Sequence, residues 1–115
     1  MRLLRALALL PALALTACHS AFVNATIQNR SSQPIHLIEV DYPSASFGTQ
    51  SLAPGGDFHY RFKVLGEGRM KLIYTDAAHQ EKKFEGPELK EGAEGALTIT
   101  ILPNDVQWRN ETHTR

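Results

Sequence analysis

From residue 22 to residue 101 the chain alternates apolar and polar side chains with a period of two, the pattern of strands that bury one face. In Phe22–Asn29, Val23, Ala25 and Ile27 alternate with Asn24, Thr26 and Gln28. Phe58–Val64 is the clearest case, with Phe58, Tyr60, Phe62 and Val64 on one side and His59, Arg61 and Lys63 on the other. Met70, Leu72 and Tyr74 repeat the pattern, as do Leu97, Ile99 and Ile101. Ile35–Tyr42 changes phase between Leu37 and Ile38, which fits a bulge or a strand covered on both faces. Ala45–Leu52 and Gln80–Glu85 are weaker strands, and Lys82 and Lys83 suit an exposed edge that resists mispairing. No window carries a helical stripe.

Turn-forming residues interrupt these runs at Asn29–Ser32, Tyr42-Pro43, Pro54–Asp57, Gly66–Gly68, Asp76–His79, Gly86-Pro87, Gly92–Gly95 and Pro103–Asp105. About seven short strands with one apolar face each require a second sheet as cover. The fold expected is all-β, a small β-sandwich of about seven antiparallel strands over residues 22–102, followed by a polar tail at 103–115. Around Gly66-Glu67-Gly68 two connections fit. A three-residue hairpin with Gly68 left-handed sets Val64 opposite Met70, Phe62 opposite Leu72 and Tyr60 opposite Tyr74. The rival is a connection that crosses between the sheets.

The N-terminus follows another plan. Arg2 and Arg5 precede an almost pure Leu/Ala run over residues 6–15, too short to span a bilayer core, which takes about 20 apolar residues. The run ends Leu15-Thr16-Ala17-Cys18, which resembles the lipobox of bacterial lipoproteins. The resemblance implies a signal peptide at 1–17 and thioether-linked diacylglycerol on Cys18. Cleavage and N-acylation would follow, with a short lipidated tether at 18–21. Two or three acyl chains hold a protein on the bilayer effectively permanently. His19 after the Cys, rather than Asp, implies an outer-membrane site facing the periplasm in a Gram-negative cell.

Two further stretches, Asn29-Arg-Ser-Ser-Gln-Pro34 and Ser51-Leu-Ala-Pro-Gly-Gly56, resemble turns of bacterial immunoglobulin-like modules of the cell-adhesion type. Pro54 presets φ and Gly55 supplies the positive φ of a tight turn. This resemblance implies an immunoglobulin-like sandwich; it bears on fold, since such modules have many roles.

Composition narrows the rest. The chain holds 12 basic and 12 acidic residues, and because Arg2 and Arg5 lie in the signal, the mature part has a slight acidic excess. No strongly basic face for nucleic acid is indicated. The single cysteine leaves no intramolecular disulfide, so packing and strand pairing carry stability. With no Gly-x-Ser-x-Gly, no phosphate loop and the one thiol consumed by lipid, an enzyme is not expected, nor is a cofactor. The sequons at Asn24, Asn29 and Asn110 have no role behind a lipobox.

The hairpin reading would gather His59, Arg61, Lys63, Arg69 and Lys71 into one basic patch, a candidate contact for an envelope protein or anionic polymer; the plainer reading is a solvated face. Trp108 either closes the core as part of an eighth short strand or serves as an exposed anchor for a partner. Glu39 and Asp41 share one side of a strand but fall short of the six to eight oxygens calcium takes. The histidines lack metal-ligand spacing; only convergence of His36, His59 or His79 in space would make a metal or small-ligand carrier. A non-enzymatic, membrane-tethered binding or structural module of the cell envelope is thus the first expectation and the carrier the second. A subunit whose strand edges are completed by a partner is the third.

Overall fold

Alternation of small, β-branched and aromatic side chains with polar ones builds strands β1 (Val23–Asn29), β2 (Ile35–Tyr42), β3 (Ala45–Leu52) and β4 (Asp57–Phe62). It continues through β5 (Gly68–Thr75), β6 (Glu81–Leu89), β7 (Glu94–Ile101) and β8 (Val106–His113). The computed structural model describes residues 20–115. Cys18 and the signal peptide expected at 1–17 lie outside the described residues.

The strands form two four-stranded sheets, β4-β1-β7-β8 and β3-β2-β5-β6, which pack as a small all-β sandwich. Two details depart from expectation. The described residues contain eight strands, because the stretch expected as a polar tail supplies β8, antiparallel to β7. And β1 pairs in parallel with β7 while it pairs antiparallel with β4, so the sandwich is not purely antiparallel.

Inward positions of both sheets fill the core: Val23 and Ile27 from β1, Val40 from β2, Met70 and Leu72 from β5, Leu97, Ile99 and Ile101 from β7, all at most 1% exposed. Each such side chain contributes about 1.5–3 kcal/mol relative to leaving it in water.

The β4–β5 connection crosses between the sheets. Phe62 at the end of β4 pairs with Val23, whereas Leu72 pairs with Val40 and Phe84. The hairpin register is therefore corrected, and the positive φ of this loop lies at Gly66 (105°) rather than Gly68. The phase change in β2 is a bulge: its pairing with β5 shifts between His36 and Glu39, and Leu37 takes φ 51°.

The two open flanks of the sandwich are closed differently. Beside β3 and β4, aromatic rings stack, Phe47 on Tyr60 at 4.4 Å and Tyr42 on Phe62 at 4.1 Å. Beside β6 and β8, the Trp108 indole covers Gly86 so closely that a β-carbon there would sit 2.6 Å from the ring. Edge strand β6 bears Lys82, Lys83 and Pro87, a guarded edge as expected. Edge strand β3, Ala-Ser-Phe-Gly-Thr-Gln-Ser-Leu, has neither charge nor proline.

Every strand runs between two poles. The basal pole gathers the start of β1, the Pro43-Ser44 turn, the β4–β5 crossover, the β6–β7 loop and the C-terminus. Bonds from Gly95 N to the Phe22 carbonyl (3.1 Å) and from Gly92 N to the Val64 carbonyl (3.1 Å) join these pieces. The distal pole holds the other four connections. There Pro54-Gly55 forms the expected tight turn, with Gly55 at φ 81° and Gly56 N donating to the Ala53 carbonyl at 2.9 Å.

Candidate functional site

At the distal pole, the two turns that carried the resemblance to immunoglobulin-like modules are bonded to each other through Asn29. Its amide donates to the Gly56 carbonyl (2.9 Å) and its carbonyl accepts from Gly55 N (2.7 Å). The side chain is fully buried (0% exposed). Its Nδ2 donates to the carbonyls of Gln33 (2.9 Å) and Leu52 (3.0 Å), and Oδ1 accepts from the Ser31 amide (3.0 Å) and hydroxyl (2.6 Å). Four satisfied bonds make this burial tolerable, because an amide buried without partners is costly. Beside it lies an open groove of about 260 Å³ lined by Ser31–Ile35, Tyr74, Asp76–Ala78, Lys82 and Ile101–Pro103. Burial raises the Tyr74 hydroxyl pKa above its ordinary value, and the Asp76 charge adds to the shift. The groove is slightly under the volume usual for small-molecule sites, about 300–1,000 Å³.

The crossover divides the basic patch expected from the hairpin. His59 and Arg61 lie on the outer face of the β4-β1-β7-β8 sheet, opposite Thr26 and Asn24, and Lys63 follows β4. Arg69 and Lys71 lie on the other sheet, among carboxylates. Lys71 is paired with Asp41 on one side and Glu85 on the other. Arg69 reaches Glu85 at 3.6 Å and donates to the Gly86 carbonyl at 2.9 Å. The five cations therefore do not form one surface. Nor does the structure bring the histidines of the carrier reading together. His36 is on β2, His59 on β4 of the opposite sheet, and His79 in the β5–β6 turn at φ 64°. Among the described residues, no three His, Cys, Asp or Glu side chains are grouped for a metal ion.

The outer faces of the two sheets differ in chemistry. On β3-β2-β5-β6, register sets Asp41 by Lys71 and Lys71 by Glu85, while Lys83 lies across from Ile73. Glu39 and Asp41 adjoin there, and the Glu39 carboxyl titrates above its ordinary range because it hydrogen-bonds Asp41 and feels its charge. On β4-β1-β7-β8, the middle strands present amides and hydroxyls: Asn24, Thr26 and Gln28 from β1, Thr98 and Thr100 from β7. Thr100 Oγ1 donates to Gln28 Oε1 at 3.0 Å, and Thr26 Oγ1 lies 3.0 Å from His59 Nδ1. Arg61 covers the Phe22 ring at 3.9 Å, and Lys63 stands 5.8 Å from the same ring. This face is a flat array of neutral donors and acceptors, flanked by His59 and Arg61 on β4 and Arg109 on β8. It suits a hydroxyl-rich or amide-rich ligand more than a dense polyanion, because only a few cations flank it.

Trp108 packs half-buried against the core from β8, as the packing alternative expected. The sequence reading missed three features: the neutral array, the Asn29 hub and an exposed Leu65 at the basal pole. The array was present as polar positions in two alternating runs, but only the parallel β1–β7 pairing sets them side by side.

No family model and no curated relative matches the chain. Among solved structures, it is similar to a protein from Eubacterium rectale determined by NMR, with a TM-score of 0.60 at 12% identity. The match covers 78% of this chain and 88% of that one. At that identity the likeness establishes a shared fold, a small all-β sandwich.

Proposed function

We propose that this chain is a membrane-tethered lipoprotein of the cell envelope, non-enzymatic, whose β-sandwich acts as a binding or structural module. The observation that carries the reading is Cys18 at the end of Leu15-Thr16-Ala17-Cys18, with only residues 19–22 between it and the first strand. Such spacing suits an anchor built to hold a folded domain at the bilayer rather than to release it. His19 supports an outer-membrane, periplasm-facing destination in a cell with two membranes. The pair of turns joined through Asn29 supports an immunoglobulin-like module. Within that module, the neutral array of Asn24, Thr26, Gln28, Thr98 and Thr100 is the surface best suited to a partner, an envelope protein or a polymer rich in hydroxyls and amides.

Mass spectrometry of the native protein and membrane fractionation of a Cys18→Ser variant test the anchor. The expected result is acyl mass on the native N-terminus and loss of Cys18→Ser from the membrane fraction. A Cys18→Ser protein that is processed and retained like the parent, with no acyl mass on the native chain, overturns the reading. A Thr98→Lys/Gln28→Lys double variant that keeps every partner recovered with the parent removes the array from consideration.

A further inference from the structure

We infer that the basal pole of the sandwich rests on the lipid surface, with Leu65 seated among the headgroups. This rests on the acylation of Cys18 and goes beyond it, because an anchor alone does not say which part of a domain touches the membrane.

Chain length sets the approach. Four residue steps separate Cys18 from Phe22, and fully extended they span about 14 Å at ~3.3–3.6 Å per residue. Phe22 is already fixed in the fold, since its carbonyl accepts from Gly95 N at 3.1 Å. The headgroup layer of one leaflet is itself about 5–7 Å deep, so a basal pole tied to an acylated Cys18 can rise at most about 7–9 Å above the headgroup surface and is free to rest on it. At that distance a single apolar side chain suffices for contact, because the tether keeps its local concentration high.

The basal pole carries such a side chain. Leu65 is 60% exposed at the turn of the β4–β5 crossover, while its neighbour Val64 is buried. Its backbone is held, with Leu65 N donating to Ser44 Oγ at 3.1 Å. Among the described residues, the other strongly exposed leucine, Leu37, sits in the β2 bulge, away from this pole. Charges at the basal pole are mixed: Arg61 and Lys63 stand over the Phe22 ring, Glu94 pairs with His113 and Arg115, and Lys90 lies between Glu88 and Glu91 in the chain, with Glu67 two residues from Leu65. A surface of balanced sign is matched to zwitterionic lipid and gains little from anionic lipid, so the contact is apolar in character and insensitive to salt.

The acylated protein can be reconstituted in phosphatidylcholine vesicles that carry a nitroxide on the acyl chain. Cys18 is the chain's only cysteine, and once acylated it has no free thiol, so an introduced cysteine takes a fluorophore alone. Glu67→Cys reports the basal pole and Asn104→Cys the distal one. The expected result is quenching at position 67 about threefold or more above that at position 104, with quenching at position 67 falling clearly when Leu65→Asp is added, while the tether alone keeps part of the difference. It should be unchanged between 0.1 and 1 M salt, where screening differs by roughly a factor of three in range. Equal quenching at the two positions on protein whose acyl mass is verified overturns the inference and leaves the lipoprotein reading standing. So does quenching at position 67 that Leu65→Asp leaves unchanged. Absence of acyl mass removes both.

Discussion

The two poles of the sandwich use the same device in opposite surroundings. At the distal pole Asn29, and at the basal pole Ser44, a side chain reaches across to the backbone of a neighbouring loop. Asn29 is fully buried and makes four side-chain bonds. Ser44 is exposed; its hydroxyl accepts from Leu65 N and donates to the Lys63 carbonyl at a long 3.4 Å. Burial decides what such a bond is worth, since water replaces a lost partner at the surface and cannot do so in the core. The distal pole is thus locked from within. The basal pole is held by backbone bonds, one solvated hydroxyl and the pairing of Glu94 with His113 and Arg115, and it leaves a leucine in the open.

That contrast can be broken at several points. Asn29→Ala removes the donor to the Leu52 carbonyl and the acceptor of the Ser31 amide, leaves the Gln33 carbonyl only the Ser31 hydroxyl, and opens a small void, so urea unfolding should show a loss of about 3 kcal/mol. A loss under 1 kcal/mol would mean that water enters and substitutes. Gly55→Ala meets no neighbour, and its cost is the left-handed backbone alone, about 1 kcal/mol by the same measurement. Recovery of most of that loss in Gly55→Asn would confirm its origin, because Asn tolerates this conformation. Ser44→Ala should cost no more than about 0.5 kcal/mol, with its effect visible as faster hydrogen exchange at Leu65. Smallest of all, Leu65→Asp should leave the midpoint within about 0.5 kcal/mol of the parent, as surface changes do. A large loss there would show that Leu65 serves the fold and not a surface.

Much of the sandwich could be read from alternation alone. β2 and β3 fall on the residues where the alternating runs placed them, and Lys82 and Lys83 do mark an edge. The Pro54-Gly55 turn followed from local chemistry. What failed has a common physical cause. In a sandwich both sheets point into one core, so Phe62 and Leu72 share an inward parity whether their strands are neighbours or face each other across the interior. Parity therefore could not separate the hairpin from the crossover, and the basic patch fell with the hairpin. β8 was legible only as a short strand ending at Trp108, because it covers only part of the core. Val106 and Trp108 turn inward, and Arg109, Asn110 and Glu111 are exposed at an edge, where polarity resembles that of a tail. The β1–β7 pairing, on which the neutral array depends, joins residues more than seventy positions apart and leaves no local trace.

The bare edge of β3 acquires a meaning once direction is considered. Two uncharged, proline-free edges of this kind zip most readily when one is inverted, the arrangement that gives the stronger ladder per residue. Under the proposed anchoring, copies rooted by the same end in one leaflet would all stand upright, and inversion would tear an anchor out of the lipid. Only the weaker upright pairing would then be left between neighbours in a crowded membrane. An anchored protein would thus gain by orientation the resistance to fibre growth that β6 gains from lysines and a proline.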